Sequence, residues 1–135
     1  IIYFKHTFKL GTGLIDGKWN VEGRLSKLTS DGFIDRATSD LSSYYVSGSY
    51  IGERSLLKAI VFSGHEQTYQ AWYGVPLRYM DSARTYNPYT YDNEVDNYRQ
   101  DHYQLHYVFN ASSRIKINKI YRIFFYNICY NFKLM

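Results

Sequence analysis

The sequence predicts an all-β protein made of antiparallel strands. Tyrosine accounts for 16 of the 135 residues and phenylalanine for 8, whereas there are only 2 prolines, and such aromatic enrichment favours pleated strands over helices. Apolar and polar residues alternate between short turn signals, which is the pattern of strands with one apolar face. With a hydrophobic fraction of 45%, the chain is too apolar for a disordered segment and has the length of one domain.

Cysteine and histidine usage excludes two common ways of stabilising a small fold. Cys129 is the single cysteine, so no internal disulfide framework is possible. The four histidines have no Cys-x-x-Cys partner, which excludes a conventional zinc module. The chain begins at Ile1 and shows no signal-peptide pattern, so we expect it to be an interior piece of a longer protein.

The first predicted hairpin turns at Asp16-Gly17, because both residues tolerate the positive φ of a two-residue turn. This turn pairs Ile15 with Lys18 and so fixes the register of both strands. One face then pairs Leu14 with Trp19, Leu10 with Gly23, and Phe8 with Leu25. The other face pairs Gly13 with Asn20, Gly11 with Glu22, Lys9 with Arg24, and Thr7 with Ser26. The two strands agree on which face is apolar, which supports the register.

The second predicted hairpin turns at Glu53-Arg54. Its apolar face pairs Tyr50 with Leu57, Gly48 with Ala59, and Val46 with Val61, and its other face pairs Ser49 with Lys58 and Ser47 with Ile60. A fifth strand is predicted over His102–Phe109, because apolar and polar residues alternate along it without interruption.

The predicted connections alternate in length. Short turns are expected at Asp16-Gly17, Glu53-Arg54 and 110–114, and long loops at 31–40 and 75–100. Transmembrane β-barrels sort their connections in this way, with tight periplasmic turns and long extracellular loops. The sequence therefore predicts a fragment of an antiparallel transmembrane β-barrel with five to six strands. The side chains expected to face lipid are Phe8, Leu25, Val46, Val61 and Leu105, and those expected to face the lumen are Thr7, Ser26, Lys58 and Gln104.

The C-terminal segment differs from the rest in charge and composition. Up to Asp101 there are 11 Lys and Arg and 12 Asp and Glu, so the basic residues that give the net charge of +4 lie beyond that position. Residues 115–135 contain 17 Ile, Asn, Lys, Tyr or Phe among 21, the residue types with the most A/T-rich codons. Two interpretations stay open for this segment, a genuine sixth strand with a basic face or a frame-shifted end. We therefore divide the chain into a barrel part, 1–114, and a separate segment, 115–135.

Three stretches resemble barrel segments of TonB-dependent outer-membrane receptors. They read S-K-L-T-S-D-G-F-I-D-R-A-T-S-D at 26–40, T-Y-Q-A-W-Y-G-V at 68–75, and R-T-Y-N-P-Y-T-Y-D-N-E-V-D-N-Y-R-Q-D-H-Y-Q-L-H at 84–106. The resemblance covers roughly Tyr3 to Tyr107 and fails past Phe109, where the family pattern expects a polar turn and another alternating strand. It implies a barrel of about 22 strands that encloses a plug domain.

The resemblance also implies a function. It implies a place in the cell outer membrane and TonB-energised uptake of a scarce nutrient, such as a ferric siderophore, haem, cobalamin or a glycan. The implied partners are outer-membrane lipid, the nutrient ligand and the TonB complex, the last through parts of the receptor that lie N-terminal to this chain. No cofactor is implied.

The candidate ligand contacts are tyrosines of the long predicted loop: Tyr86, Tyr89, Tyr91 and Tyr98. Their rings can stack on an aromatic ligand or a sugar, since binding residues collect on loops above a barrel, whereas packing within the loop is the alternative explanation. No metal site is expected. His102 and His106 lie about 13 Å apart on a strand, and the acids at Asp92, Glu94 and Asp96 lack the glycine and the closing glutamate of a calcium loop.

Other classes of function have weaker support. No G-x-S-x-G motif and no Gly-rich phosphate loop is found, so we do not expect an enzyme. A soluble β-sandwich that binds carbohydrate through an aromatic loop is the main alternative, although it does not explain an apolar face that continues across both hairpins and the fifth strand. A nucleic-acid binder would explain the sequence pI of about 9.1, but the positive charge lies only in the C-terminal segment and without a patterned aromatic platform.

Overall fold

A computed structural model describes residues 2–130. They form one open antiparallel sheet in which every strand pairs with its neighbour in the chain. The strands are β1 (Tyr3–Gly11), β2 (Trp19–Ser30), β3 (Ser39–Ile51), β4 (Ser55–Tyr69), β5 (Val95–Asn110) and β6 (Lys116–Tyr130). Helical structure in residues 2–130 is limited to a 3-10 turn at Leu77–Tyr79, and these residues include no helix long and apolar enough to cross a membrane. The prediction of an all-β antiparallel fold with five to six strands is confirmed.

The predicted register of the two hairpins is confirmed along the strands. In the first hairpin Phe8 pairs with Leu25 and Lys9 with Arg24. All five pairs predicted around Glu53-Arg54 are present in the ladder between β3 and β4. The alternation of side chains between two faces therefore sets the pairing, because a slip of one residue would move every apolar side chain to the opposite face.

The tip of the first hairpin differs from the prediction. The predicted pairs of Ile15 with Lys18 and of Leu14 with Trp19 are wrong, because Ile15 instead bridges Trp19. The Ile15 carbonyl accepts hydrogen bonds from the amides of Lys18 and Trp19 at 2.9 and 3.0 Å. The turn thus holds three residues rather than two. Asp16 and Gly17 do adopt positive φ, 49° and 67°, as their residue types suggested.

The fifth strand is longer than the sequence indicated, and it is followed by a sixth. β5 begins at Val95 rather than at His102, so the second long loop ends at Glu94 and Tyr98 lies on a strand. The basic C-terminal segment forms β6, which pairs with β5 from Asp96↔Tyr130 to Asn110↔Lys116. A strand at 116–130 is compatible with both interpretations of residues 115–135, which stay predictions. Residues 131–135 of that segment lie outside the described residues.

The two faces of the sheet differ in chemistry and in burial. We call the side with Phe8, Leu25, Val46, Val61 and Leu105 the apolar face, and the side with Lys9, Arg24, Ser47, Lys58 and Gln104 the polar face; the pairing confirms that each set shares one side. Phe8 and Leu25 are 64% and 60% exposed, whereas Ser47 is 2% exposed. No hydrophobic side chain is buried among the described residues. The sheet therefore has no apolar core of its own.

Candidate functional site

Two loops meet at one end of the sheet. They are residues 31–38, between β2 and β3, and residues 70–94, between β4 and β5; together we call them the loop cap. Asn87 belongs to the second loop, and it is 1% exposed. Its side-chain amide donates to the carbonyls of Asp35 and Gln70, at 2.9 and 3.0 Å, and its Oδ1 accepts from the Tyr89 amide at 3.1 Å. The buried Asn87 side chain thus joins the two loops to each other and to Gln70, the residue that follows β4.

Arg36 makes a second connection within the loop cap. Its guanidinium donates to the carbonyls of Tyr89 and Asn87, at 2.9 and 3.0 Å. The backbone of Arg36 has a φ of 64°, which is uncommon for a residue other than glycine. The Asp35 amide also donates to the Thr85 carbonyl at 2.7 Å. Hydrogen bonds therefore join the loop 70–94 to the loop 31–38.

The base of the loop cap contains two further buried polar residues, Gln70 and Glu94. Glu94 is 7% exposed, and its Oε2 accepts from the hydroxyl of Tyr69 at 3.5 Å and from the amide of Tyr91 at 3.4 Å. Gln70 is 1% exposed, and no hydrogen-bond partner for its side-chain nitrogen or oxygen is found among the described residues. Buried groups of this kind cost free energy, so Gln70 is a local weak point.

Tyr89 is the centre of an exposed aromatic cluster. Its ring lies 5.8 Å from that of Tyr73, with the planes nearly parallel, and 6.4 Å edge-on from that of Trp72. Trp72 and Tyr73 are 60% and 66% exposed. Partial burial raises the pKa of the Tyr89 hydroxyl above 10.0, with smaller contributions from Tyr73 and Glu94, so the phenol is neutral and available as a hydrogen-bond donor at neutral pH. We call Trp72, Tyr73 and Tyr89 the aromatic cluster.

The other three predicted tyrosines lie elsewhere. Tyr86 packs against Tyr79 with ring centres 4.7 Å apart, and the guanidinium of Arg78 lies 4.8 Å above the Tyr79 ring. Tyr91 is 39% exposed, and its carbonyl accepts a 2.6 Å hydrogen bond from Tyr69. Tyr98 belongs to β5, where its hydroxyl donates to Gln100. The prediction that placed Tyr98 in the loop is wrong, because the ladder with β4 continues up to Tyr69↔Val95.

The two residues that organise the loop cap, Asn87 and Arg36, are not evident from the sequence pattern. Asn87 precedes Pro88, which marks a turn, and this was the only local signal at that position. Arg36 carries no local signal, because its partners lie 51 and 53 residues further along the chain. Within residues 2–130, no group of three or more His, Cys, Asp or Glu residues is arranged to hold a metal ion. The chemistry that this end of the molecule offers is aromatic stacking and hydrogen bonding.

Comparison with known proteins gives no relative from which a function can be taken. The chain matches no family model, no curated protein and no solved structure.

Proposed function

We propose that this chain is part of the wall of a transmembrane β-barrel, in an outer-membrane receptor that takes up a scarce nutrient with energy from TonB. The observation that carries the proposal is the inverted distribution of side chains. Large apolar side chains such as Phe8 and Leu25 are exposed, whereas the buried side chains found in the described part of the sheet are serines, Ser47 on the polar face and Ser63 on the apolar face. A wall strand of a barrel needs this arrangement, because its outer face contacts hydrocarbon and its inner face contacts a polar lumen.

The lengths of the connections support the same proposal. The connections 12–18, 52–54 and 111–115 lie at one end of the sheet, and 31–38 and 70–94 lie at the other. The shortest, 52–54, and the longest, 70–94, are thus at opposite ends, whereas 12–18 and 31–38 are nearly equal in length. Trp19 and Tyr50 pack at the first end with ring centres 4.5 Å apart, in the position of a membrane-interface aromatic pair. The alternative, a carbohydrate-binding β-sandwich, would need a second sheet on the apolar face, and residues 2–130 form one sheet.

The two tryptophans of the chain allow a direct test of membrane insertion. Trp72→Phe leaves Trp19 as the single reporter at the edge of the apolar face, and Trp19→Phe leaves Trp72 as the reporter in the loop cap. In vesicles that contain brominated lipid, we expect the lipid to quench Trp19 and aqueous iodide to quench Trp72. Quenching of Trp19 by iodide, with no effect of brominated lipid, would contradict insertion.

The transport part of the proposal needs a separate test in cells. We expect Tyr89→Ala to impair growth on a limiting nutrient, because it removes the centre of the aromatic cluster. Leu77→Ala is the matched control, because Leu77 lies in the same loop and is 90% exposed. Surface labelling should show equal amounts of both variants in the outer membrane. Equal growth of the two variants would show that the aromatic cluster does not bind the nutrient. It would not bear on the proposal that the chain is part of a barrel.

A further inference from the structure

Two cations lie side by side on the polar face. Lys9 of β1 and Arg24 of β2 are directly paired residues, so their side chains leave the sheet on the same face. The ion pairs found within residues 2–130 are Lys27 with Asp40 and Arg99 with Asp101, and neither includes Lys9 or Arg24. Like charges directly opposite one another destabilise a sheet. The pair therefore has a cost that neither of these ion pairs offsets.

Glu22, the acidic residue next to this pair, forms hydrogen bonds with the neighbouring strand β3. Glu22 lies two residues before Arg24, on the same face of β2. Its Oε1 accepts hydrogen bonds from the hydroxyls of Tyr45 and Ser47 on β3, at 3.3 and 3.1 Å. These bonds hold the carboxylate toward β3, away from Lys9 on β1. Glu22 thus orders the neighbouring strand and leaves the two cations without an ion-pair partner.

A small cavity of about 220 Å³ opens between these side chains, lined by Lys9, Glu22, Gly23, Arg24 and Tyr45. A water molecule in liquid water occupies about 30 Å³, so the cavity has room for a carboxylate group with its hydration. The guanidinium of an arginine presents two parallel N–H groups that match the two oxygens of a carboxylate, and a lysine adds a compact positive charge beside them.

We propose that Lys9 and Arg24 form an anion-binding site on the polar face, and that its ligand is a carboxylate. The ligand removes the repulsion between the two cations and fills the cavity between them. The site does not rest on the proposed transport function, because the pairing and the charges belong to the sheet in any surroundings. The carboxylate has two possible sources, a small organic acid in solution or an acidic side chain of a protein segment that lies over this face.

Two probes distinguish these sources, citrate for the small acid and a hexaglutamate peptide for the protein segment. Each is titrated into the full chain in detergent micelles, and binding is followed by the rise in thermal midpoint that a ligand of the folded state produces. We expect Lys9→Gln and Arg24→Gln each to weaken binding at least tenfold. Lys5→Gln is the matched control, because Lys5 lies on the same face of β1 and pairs with Leu28. Arg24→Lys keeps the charge but loses the paired N–H groups, so it should weaken binding severalfold.

A second measurement does not depend on either probe. In buffer free of carboxylates, removing one cation of a repelling pair should raise the thermal midpoint, and removing the second should give no further rise. At a saturating concentration of the probe that binds, we expect the reverse ranking: the unsubstituted chain should have a higher thermal midpoint than either variant. Binding of citrate alone would identify a solute site, and binding of hexaglutamate would identify a site for an acidic segment. Failure of both probes to bind, equal binding by all variants, or an equal loss with Lys5→Gln would overturn the proposal.

Discussion

The sheet and the loop cap differ in how they hold their side chains. In the sheet, large apolar residues such as Phe8 are exposed, and the strands are joined by the backbone ladders. In the loop cap, the least exposed residues are the polar side chains of Gln70, Asn87 and Glu94, and specific hydrogen bonds join the segments. The sheet lacks a partner for its apolar face, whereas the loop cap supplies most of its own partners.

Because of this difference, we expect the stability of the two regions to respond to different substitutions and solvents. The stability of the sheet should depend on what surrounds its apolar face, since exposed apolar area is favourable only next to an apolar medium. The stability of the loop cap should depend on individual polar atoms, since a buried polar group that loses its partner costs free energy in any solvent.

The largest effect is expected on the apolar face. Leu105 and Gln104 are consecutive residues of β5 that point to opposite faces. In lipid vesicles, Leu105→Arg should lower the free energy of unfolding by about 2 to 4 kcal/mol, because it places a charge in hydrocarbon. Gln104→Arg should cost less than about 1 kcal/mol, from repulsion by the paired Arg122. Urea unfolding in vesicles measures both values, and equal costs would contradict the assignment of the faces.

A smaller effect is expected at the centre of the loop cap. Asn87→Ala removes the donor to the carbonyls of Asp35 and Gln70. Leaving the carbonyl of the buried Gln70 unpaired costs about 1 to 3 kcal/mol, whereas the exposed Asp35 can bond to water. Hydrogen exchange should accelerate at the Asp35 and Tyr89 amides and stay unchanged at the Val46 amide in the sheet. Asn118→Ala, at an exposed position of β6, is the control. Faster exchange throughout the sheet would show that the loop cap and the sheet are one cooperative unit.

The third substitution is expected to stabilise the loop cap rather than destabilise it. Gln70→Leu replaces a buried amide, for which no partner is found within residues 2–130, by an apolar side chain of similar size. Because the buried amide carries a desolvation penalty, we expect the loop cap to gain about 1 kcal/mol. Gln67→Leu, near the end of the preceding strand β4, is the control, since Gln67 is exposed. Slower exchange at the Gln70 amide is the measurement, and a faster rate in the Leu variant would reveal a partner for the Gln70 side chain.

The smallest effect concerns pH. Partial burial raises the pKa of Tyr89 above 10.0, so the folded state favours the neutral phenol. Its contribution to stability is complete below pH 10.0, the pKa of an unperturbed tyrosine, and is lost as the pH rises through the folded pKa. Burial also raises the pKa of Tyr69, so absorbance of phenolate at 295 nm should show two late-titrating tyrosines, of which one is missing in Tyr89→Phe. Trp72→Ala, which uncovers the ring, should move that titration toward pH 10.0; a titration of Tyr89 at or below 10.0 would contradict its burial.

The sequence predicts the sheet better than it predicts the loop cap, for a physical reason. Strand pairing follows from alternation and from turn residues, which are local, so pairs such as Val46 with Val61 could be derived. The prediction was wrong at Leu14 and Trp19, because a two-residue and a three-residue turn share the same Asp-Gly signal. The start of β5 was not predicted because Val95 to Asp101 has charged residues on both faces and so shows no alternation of apolar and polar residues.

The candidate site depends on long-range contacts, which no single segment shows. The sequence predicts Tyr86 and Tyr89 as ligand contacts from their residue type, but it does not predict that their rings pack against Tyr79 and Tyr73. Asn87 and Arg36 act on carbonyl groups of distant backbone, and any residue type can supply a carbonyl. A sequence can therefore indicate which side chains are available for binding, but not which backbone atoms hold them in place.

The order of the strands has a consequence for how fast the sheet assembles. Because every strand pairs with its neighbour in the chain, each hairpin can form early from contacts that are close in sequence. The hairpin of β3 and β4 closes across residues 52–54, whereas β4 and β5 must close across 70–94, which adds on the order of 2 kcal/mol of loop entropy. Assembly should thus proceed through β1 to β4 and through β5 with β6 as separate blocks, and their joining should be the slow step.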